Sequence, residues 1–114
     1  MIESYRFGRM CINGTWYDRD LVVAQTVLIS PWWRKDGHRL LEEDLRSVLD
    51  SSAWTHVVIG TGAFGRMRLD PGFETAVREK GMILQAERTE GAVDSFNRLI
   101  KDGADVMGAF HLTC

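Results

Sequence analysis

Thr55-His56-Val57-Val58-Ile59-Gly60-Thr61-Gly62 is the stretch on which the fold turns. Val57, Val58 and Ile59 are apolar at consecutive positions, so both faces of this strand need cover. A central parallel strand flanked by helices provides that cover. The glycines that follow permit a tight exit from the sheet. Downstream, Asp70-Pro71 places an N-cap and a first-position proline at the head of a helix that stops at Gly81. Met82–Ala86 reads as the next strand. Thr89 is expected to cap a third helix, with Ala92, Val93, Phe96, Leu99 and Ile100 on its buried face and Gly103 past its end. Ala104–Phe110 closes the chain as a strand. Upstream, Leu41, Leu45, Val48 and Leu49 fall at helical spacing opposite Glu42, Glu43, Asp44 and Arg46.

Before residue 40 the pattern changes to short strands. Met10–Ile12 and Thr15–Tyr17 flank Asn13-Gly14, the pair that a type I′ hairpin turn demands. Leu21–Val23 and Val27–Ile29 follow, and Pro31 ends the ladder because it has no N–H to donate. The expected architecture is a three-layer α/β domain spanning residues 1–114. Its central sheet is mixed, mostly parallel after residue 40, with an N-terminal antiparallel β-hairpin layer and about three helices.

The chain has 114 residues, 45% of them hydrophobic and 26% charged, with a formal charge of −2. That composition belongs to a globular protein, and the charge argues against a nucleic-acid or membrane-surface binder. Met1–Arg9 has no apolar targeting core, so a cytoplasmic protein is expected. Both cysteines, Cys11 and Cys114, are expected to be reduced thiols.

Ligands of open α/β sheets gather beyond the carboxyl ends of the parallel strands. Here those ends are Gly60–Gly65, Glu87–Thr89 and His111–Cys114. The loop Gly60-Thr61-Gly62-Ala63-Phe64-Gly65 matches G-x-G-x-x-G, and Glu87 lies near the ribose-binding position of a dinucleotide fold. Arg66–Leu69 nevertheless separates the loop from its helix, so no helix N-terminus meets a pyrophosphate. Two other readings of the loop remain: a glycine-permitted strand exit, and a set of N–H groups holding a small anion with Arg66 and Arg68. No cofactor is expected. Glu87 is the one acid kept as a candidate general base.

The segment Pro31-Trp32-Trp33-Arg34-Lys35-Asp36-Gly37-His38-Arg39 is the most unusual composition in the chain. In an extended run its tryptophans point to opposite faces, leaving Trp33, Arg34 and His38 as candidates for an aromatic, basic rim. His111 is expected to be a hydrogen-bonded histidine at a strand end. The carboxylate expected on Cys114 disfavours its thiolate, and no paired-ligand spacing points to a metal.

Several of these residues together resemble one family. They are Tyr5-Arg6-Phe7-Gly8, His38 ahead of an acidic helix, Ile59-Gly60-Thr61-Gly62, Thr89 with Ala92 and Asn97, and His111-Leu112-Thr113-Cys114. The chain is similar to the MTH-type domain family of small, mostly uncharacterised prokaryotic proteins, whose eukaryotic relatives include an assembly factor for mitochondrial respiratory complex I. The resemblance implies a three-layer α/β fold around a mixed sheet. It implies no activity, because the family offers no established catalytic residues. In the archaeal pattern the stretch before His38 is more uniformly basic; here it reads Asp36-Gly37-His38 after a tryptophan pair.

The leading expectation is a non-enzymatic binding or assembly-accessory domain with a protein partner. The alternative is a small-anion or metabolite site, with or without catalysis, built from Gly60, Thr61, Gly62, Arg66, Glu87, Thr89 and His111. Neither nucleic acid nor membrane is an expected partner. Self-association through the N-terminal strand edge or the tryptophan pair is compatible with either, giving a monomer or a weak homodimer.

Overall fold

The computed structural model describes residues 1–114. In chain order the strands are β1 Ile2–Arg6, β2 Arg9–Ile12, β3 Thr15–Tyr17, β4 Leu21–Ala24, β5 Val27–Ile29, β6 Arg39–Leu40, β7 His56–Gly60, β8 Arg68–Leu69, β9 Ile83–Glu87 and β10 Val106–Phe110. The helices are α1 Arg46–Leu49, α2 Pro71–Glu79 and α3 Thr89–Lys101, with a 3-10 turn at Glu42–Asp44 before α1.

The central sheet has the order β5-β4-β10-β7-β9. β7 pairs in parallel with both β10 and β9, while β4 runs antiparallel to β10 and β5 antiparallel to β4. This is the mixed sheet that the sequence predicts. The alternation along β7 divides the core. Val57 and Ile59 join Phe73, Val77, Leu45, Leu49 and Trp32 on one face. Val58 joins Phe96, Ala92, Met10 and Ile12 on the other. The first layer is therefore α2 with the 32–49 segment. The opposite layer is α3 together with the three-stranded sheet β1-β2-β3. Phe96 and Phe110 meet edge to face at 5.7 Å, a contact worth about 1 kcal/mol beyond burial.

The I′ turn forms as expected, with Asn13 at φ 49 and Gly14 at φ 83. Asp70 caps α2 by accepting from the Gly72 N–H at 3.0 Å, with Pro71 at the first turn.

Four features depart from the sequence reading. β1 is an additional strand, clamped to α3 by Asn97, whose amide accepts from Ile2 N–H at 2.9 Å and donates to Ile2 C=O at 2.7 Å. The helix expected over 41–49 is broken at Leu45 (φ −127, ψ 6). Asp44 is diverted to tertiary partners there: its carbonyl accepts the Trp32 indole N–H at 3.1 Å and its carboxylate the Lys35 N–H at 3.2 Å. β6 and β8 form a short parallel pair that leads His38 beside the glycine loop. Finally, Arg88 and not Thr89 occupies the cap position of α3, with no side-chain cap bond.

Candidate functional site

The three predicted strand ends do converge, and their backbones are sewn together. Thr61 N–H donates to Glu87 C=O at 2.8 Å, Ala63 N–H to Thr113 C=O at 2.6 Å, and Arg66 N–H to Cys114 C=O at 3.1 Å. Gly65 and Met67 N–H groups donate to Gly62 and Thr61 carbonyls. Thr89 is the central knot: its hydroxyl accepts from Gly62 N–H at 2.9 Å and donates to His111 C=O at 2.6 Å. A threonine at a helix start reads as a cap, but here the tertiary partners take its hydroxyl instead.

The glycines make room for protein. A Cβ on Gly60 would lie 2.7 Å from Phe110 Cδ1 and 2.9 Å from Thr89 Oγ1. On Gly62, at φ +107, it would lie 2.3 Å from the Cys114 carbonyl carbon. The loop is thus a tight strand exit. The reading in which its N–H groups cradle an anion is corrected, because Thr61, Gly62, Ala63, Gly65, Arg66 and Met67 all spend theirs on the chain itself.

The polar centre of this edge lies elsewhere. Because β4 runs antiparallel to β10, with Leu21 opposite Phe110, the residue before β4 arrives beside the residue after β10. Asp20 consequently meets His111: Nδ1 lies 2.8 Å from Oδ2. The other Asp20 oxygen accepts the Leu112 N–H at 2.8 Å. Arg34 joins them, Nη2 donating to Asp20 Oδ2 at 2.9 Å and to Gly37 C=O at 2.8 Å. Its guanidinium lies 4.6 Å from the centre of the Trp32 ring, a cation–π contact. The Arg34 and His111 side chains are only 4% and 8% exposed, and Asp20 19%.

Burial alone would push the Asp20 carboxyl up. Hydrogen bonds from His111 and Leu112, with the positive field of His111 and Arg34, hold it below its ordinary value instead. Tyr5, whose hydroxyl donates to Leu112 C=O at 2.8 Å, is pushed up by burial and by the charges of Asp20 and Glu90.

Despite these bonds the cluster is not satisfied. Arg34 Nε and Nη1 and His111 Nε2 are buried with no hydrogen-bond partner. Arg34 also forms part of the wall of a cleft of about 480 Å³, lined by residues 18–20, 31–35, 37, 112 and 113. Its rim carries Arg19 and Lys35 against Asp18, and Trp33 stands in it with 82% of its surface exposed. Trp32 and Trp33 do take opposite faces, the former 6% exposed.

Of the predicted residues, Trp33 and Arg34 line the cleft; His111 meets Arg34 at 3.3 Å without lining it, and the His38 ring lies edge-on to His111 at 5.9 Å. Gly60, Thr61, Gly62, Thr89 and Cys114 build the floor of the sheet edge. Arg66 is exposed on the loop. Glu87, on β9, lies across β7 from β10, so about two strand spacings, ~10 Å, separate it from the His111 backbone. Its carboxylate accepts the Ser95 hydroxyl at 2.6 Å. Asp20 and Arg19 escape the sequence reading. Cys11 and Cys114 are free, and no three His, Cys, Asp or Glu side chains group to hold a metal. No helix is long and apolar enough to cross a membrane.

Solved structures share this fold. A conserved hypothetical protein from Pyrococcus horikoshii OT3 superposes with a TM-score of 0.83 at 23% identity, covering 100% of this chain and 99% of that one. The protein MT938 gives 0.80 at 24%, covering 100% and 98%. A Mth938-like domain from Bordetella pertussis gives 0.79 at 18%, covering 98% and 85%. These likenesses speak for the fold alone, and the last two names agree with the MTH-type resemblance carried by the sequence. With residues 2–111 matching the family described as a protein of unknown function, DUF498/DUF598, the chain belongs to that family.

Proposed function

We propose that this chain is a non-enzymatic binding domain whose cleft, between residues 18–20 and 31–37, holds the anionic group of a small ligand, a carboxylate or a phosphate. One observation carries the reading. A guanidinium has five N–H bonds and cannot lose its charge. Arg34 spends the two on Nη2 on Asp20 and Gly37, leaving the bond on Nε and the two on Nη1 without an acceptor in a side chain 4% exposed. Buried donors left unmade are costly, and native proteins seldom keep them without a function. Arg19 and Lys35 add positive field at the rim, and the Trp33 indole offers an apolar wall.

The test is an NMR titration of isotope-labelled protein with sodium acetate and sodium phosphate at constant ionic strength. Saturable shifts centred on the Trp33 indole and the Arg34 side chain are expected. Shifts that never saturate, or that centre on Arg66 or Arg9, would overturn the reading.

The assembly-accessory reading, with a protein partner, draws on a different observation. Phe64 is 62% and Phe7 58% exposed, and their rings lie 6.1 Å apart. Clustered exposed aromatics are typical of partner surfaces. Affinity capture from cells with wild-type and Phe64→Ser protein separates the two: a partner retained only by the wild type supports it, and identical capture by both removes it.

A further inference from the structure

The strand edges of the fold are not equally closed. At β1 the outer N–H and C=O of Ile2 are taken by Asn97, and β5 offers only three residues before Ser30 and Pro31. β9 is different. It is the outer strand of the central sheet, five residues long, and it pairs with β7 in unbroken register. Ile83 N–H donates to Thr55 C=O at 2.9 Å, and Glu87 C=O accepts from Thr61 N–H at 2.8 Å. Along a paired strand the main-chain groups of alternate residues point to the same side. Ile83, Gln85 and Glu87 therefore face β7. Leu84 and Ala86 turn their N–H and C=O groups outward, and no strand lies beyond them. Native proteins blunt such an edge with a proline, a bulge or a lysine; Met82–Glu87 has none of these.

We propose that β9 joins β9 of a second copy of this chain, antiparallel about a two-fold axis at Gln85, so that the central sheet continues across both. The two outward residues are two positions apart. The axis therefore sets Leu84 of each chain opposite Ala86 of the other, and each such pair exchanges both main-chain bonds. Side chains directly opposite share a face. Gln85 meets Gln85, whose amide is its own complement, and Ile83 meets Glu87. That face, the one on the α3 side, is incompletely covered within one chain. Ile83 is 55% exposed, and Leu84–Glu87 line an open hollow with Ser95 and Arg98. Charge favours a second copy over an unrelated strand. Ser95 donates to Glu87, and α3 runs back along β9, so Arg98, nearly a turn beyond Ser95, is carried toward the Ile83 end. The Glu87 that the axis brings opposite Ile83 thus arrives beside Arg98, and the contact is made twice. Neither Arg98 nor Glu87 has an ion-pair partner in its own chain. A two-fold interface must be complementary to itself, and these two residues make it so. No residue of β9 or α3 lines the Arg34 cleft, so this interface leaves it free.

The experiment is analytical ultracentrifugation over about a hundredfold range of concentration, with amide exchange read by NMR at both ends of the range. The wild type is expected to pass from monomer to dimer. The Leu84 and Ala86 N–H groups, open to exchange in the monomer, should become protected as it does. Arg98→Glu and Glu87→Arg each set like charges against one another across the axis, and each should weaken the dimer about tenfold or more. An equimolar mixture of the two variants should regain it, because in the mixed pair both contacts are opposite in sign. Ala86→Pro removes an outward N–H without touching the bonds to β7 and should stay monomeric. Should that variant fail to fold, the charge variants and their mixture decide alone. A wild-type chain that is monomeric at every concentration overturns the proposal. So does a dimer whose protection falls on Ile2–Arg6 or Val27–Ile29, one that both charge variants leave unchanged, or a mixture that restores nothing.

Discussion

Asp20 Oδ2 and His111 Nδ1, 91 residues apart in sequence, lie 2.8 Å apart at the sheet edge, and the same oxygen receives Arg34 Nη2 at 2.9 Å. One carboxylate thus compensates a buried guanidinium and orients an imidazole. Removing it strands a charge in a side chain 4% exposed, the situation in which breaking an ion pair is most damaging. Asp20→Ala is expected to lose about 3 kcal/mol of stability in urea unfolding at neutral pH, since a buried pair loses that much when one partner goes. A loss below about 1 kcal/mol, the size of a surface ion pair, would show that Arg34 is solvated after all.

The pH dependence follows from the same oxygen. The Asp20 carboxyl is held below its ordinary value of 3.8 in the folded state. A depressed carboxyl stabilises the fold above its unfolded pKa, and that contribution is lost as pH falls through the folded one. Asp70 and Glu42, lowered by hydrogen bonds from Arg39 and Arg46, act in the same direction. The comparison that isolates Asp20 is wild type against Asp20→Asn. Their stability difference should be full above about pH 5 and shrink steadily below about pH 4. A difference unchanged down to pH 2 would mean that the charge of Asp20 plays no part.

Thr89 makes a third test. Its hydroxyl serves Gly62 N–H and His111 C=O at once, in a side chain with no exposure. Thr89→Val keeps the shape and leaves both backbone groups unpaired, at a cost of about 2–3 kcal/mol. Thr89→Ser, which keeps the hydroxyl, should recover most of it. Equal losses for the two would trace the effect to the methyl group instead.

The glycines divide in the same way. Gly62 and Gly81 both have positive φ, at +107 and +78, but nothing lies within 4 Å of a Cβ on Gly81, whereas one on Gly62 strikes the Cys114 backbone. Gly81→Ala should cost about 1 kcal/mol, the left-handed penalty alone. Gly62→Ala should cost clearly more and loosen the 111–114 segment, read as faster amide exchange at Leu112 and Ala63. Equal costs would show that the segment moves aside freely.

The sequence displayed what local chemistry determines. The run at Val57–Ile59 demanded cover on both faces and received it. Trp33, Arg34 and His38 stood out by composition, and His111 by its place after a strand. Asp20 did not, because the rule that directs attention to strand carboxyl ends omits the residue entering an antiparallel neighbour. Only the pairing of β4 with β10, across most of the chain, carries Asp20 to that edge. Thr89 was misread for a related reason: a threonine before a helix has a local use, and nothing local shows that Gly62 and His111 claim its hydroxyl. The glycine loop left both a strand exit and an anion cradle open, because its pattern is the same whether what approaches is a ligand or the protein's own backbone.

That ambiguity leads to the last prediction, which sets two exposed residues against each other. The reading of the loop as an anion site needs Arg66, whereas the cleft needs Trp33. Arg66 is exposed and its backbone N–H is committed to Cys114 C=O at 3.1 Å. Trp33 projects into the cleft with 82% of its surface free. Neither supports the core, so Arg66→Ala and Trp33→Ala should both stay within about 0.5 kcal/mol of wild-type stability. Their effects on anion binding should differ. Arg66→Ala is expected to leave acetate and phosphate affinity unchanged, and Trp33→Ala to weaken them severalfold by removing the apolar wall beside Arg34. The reverse pattern would return the site to the glycine loop, with its arginine acting through the side chain alone.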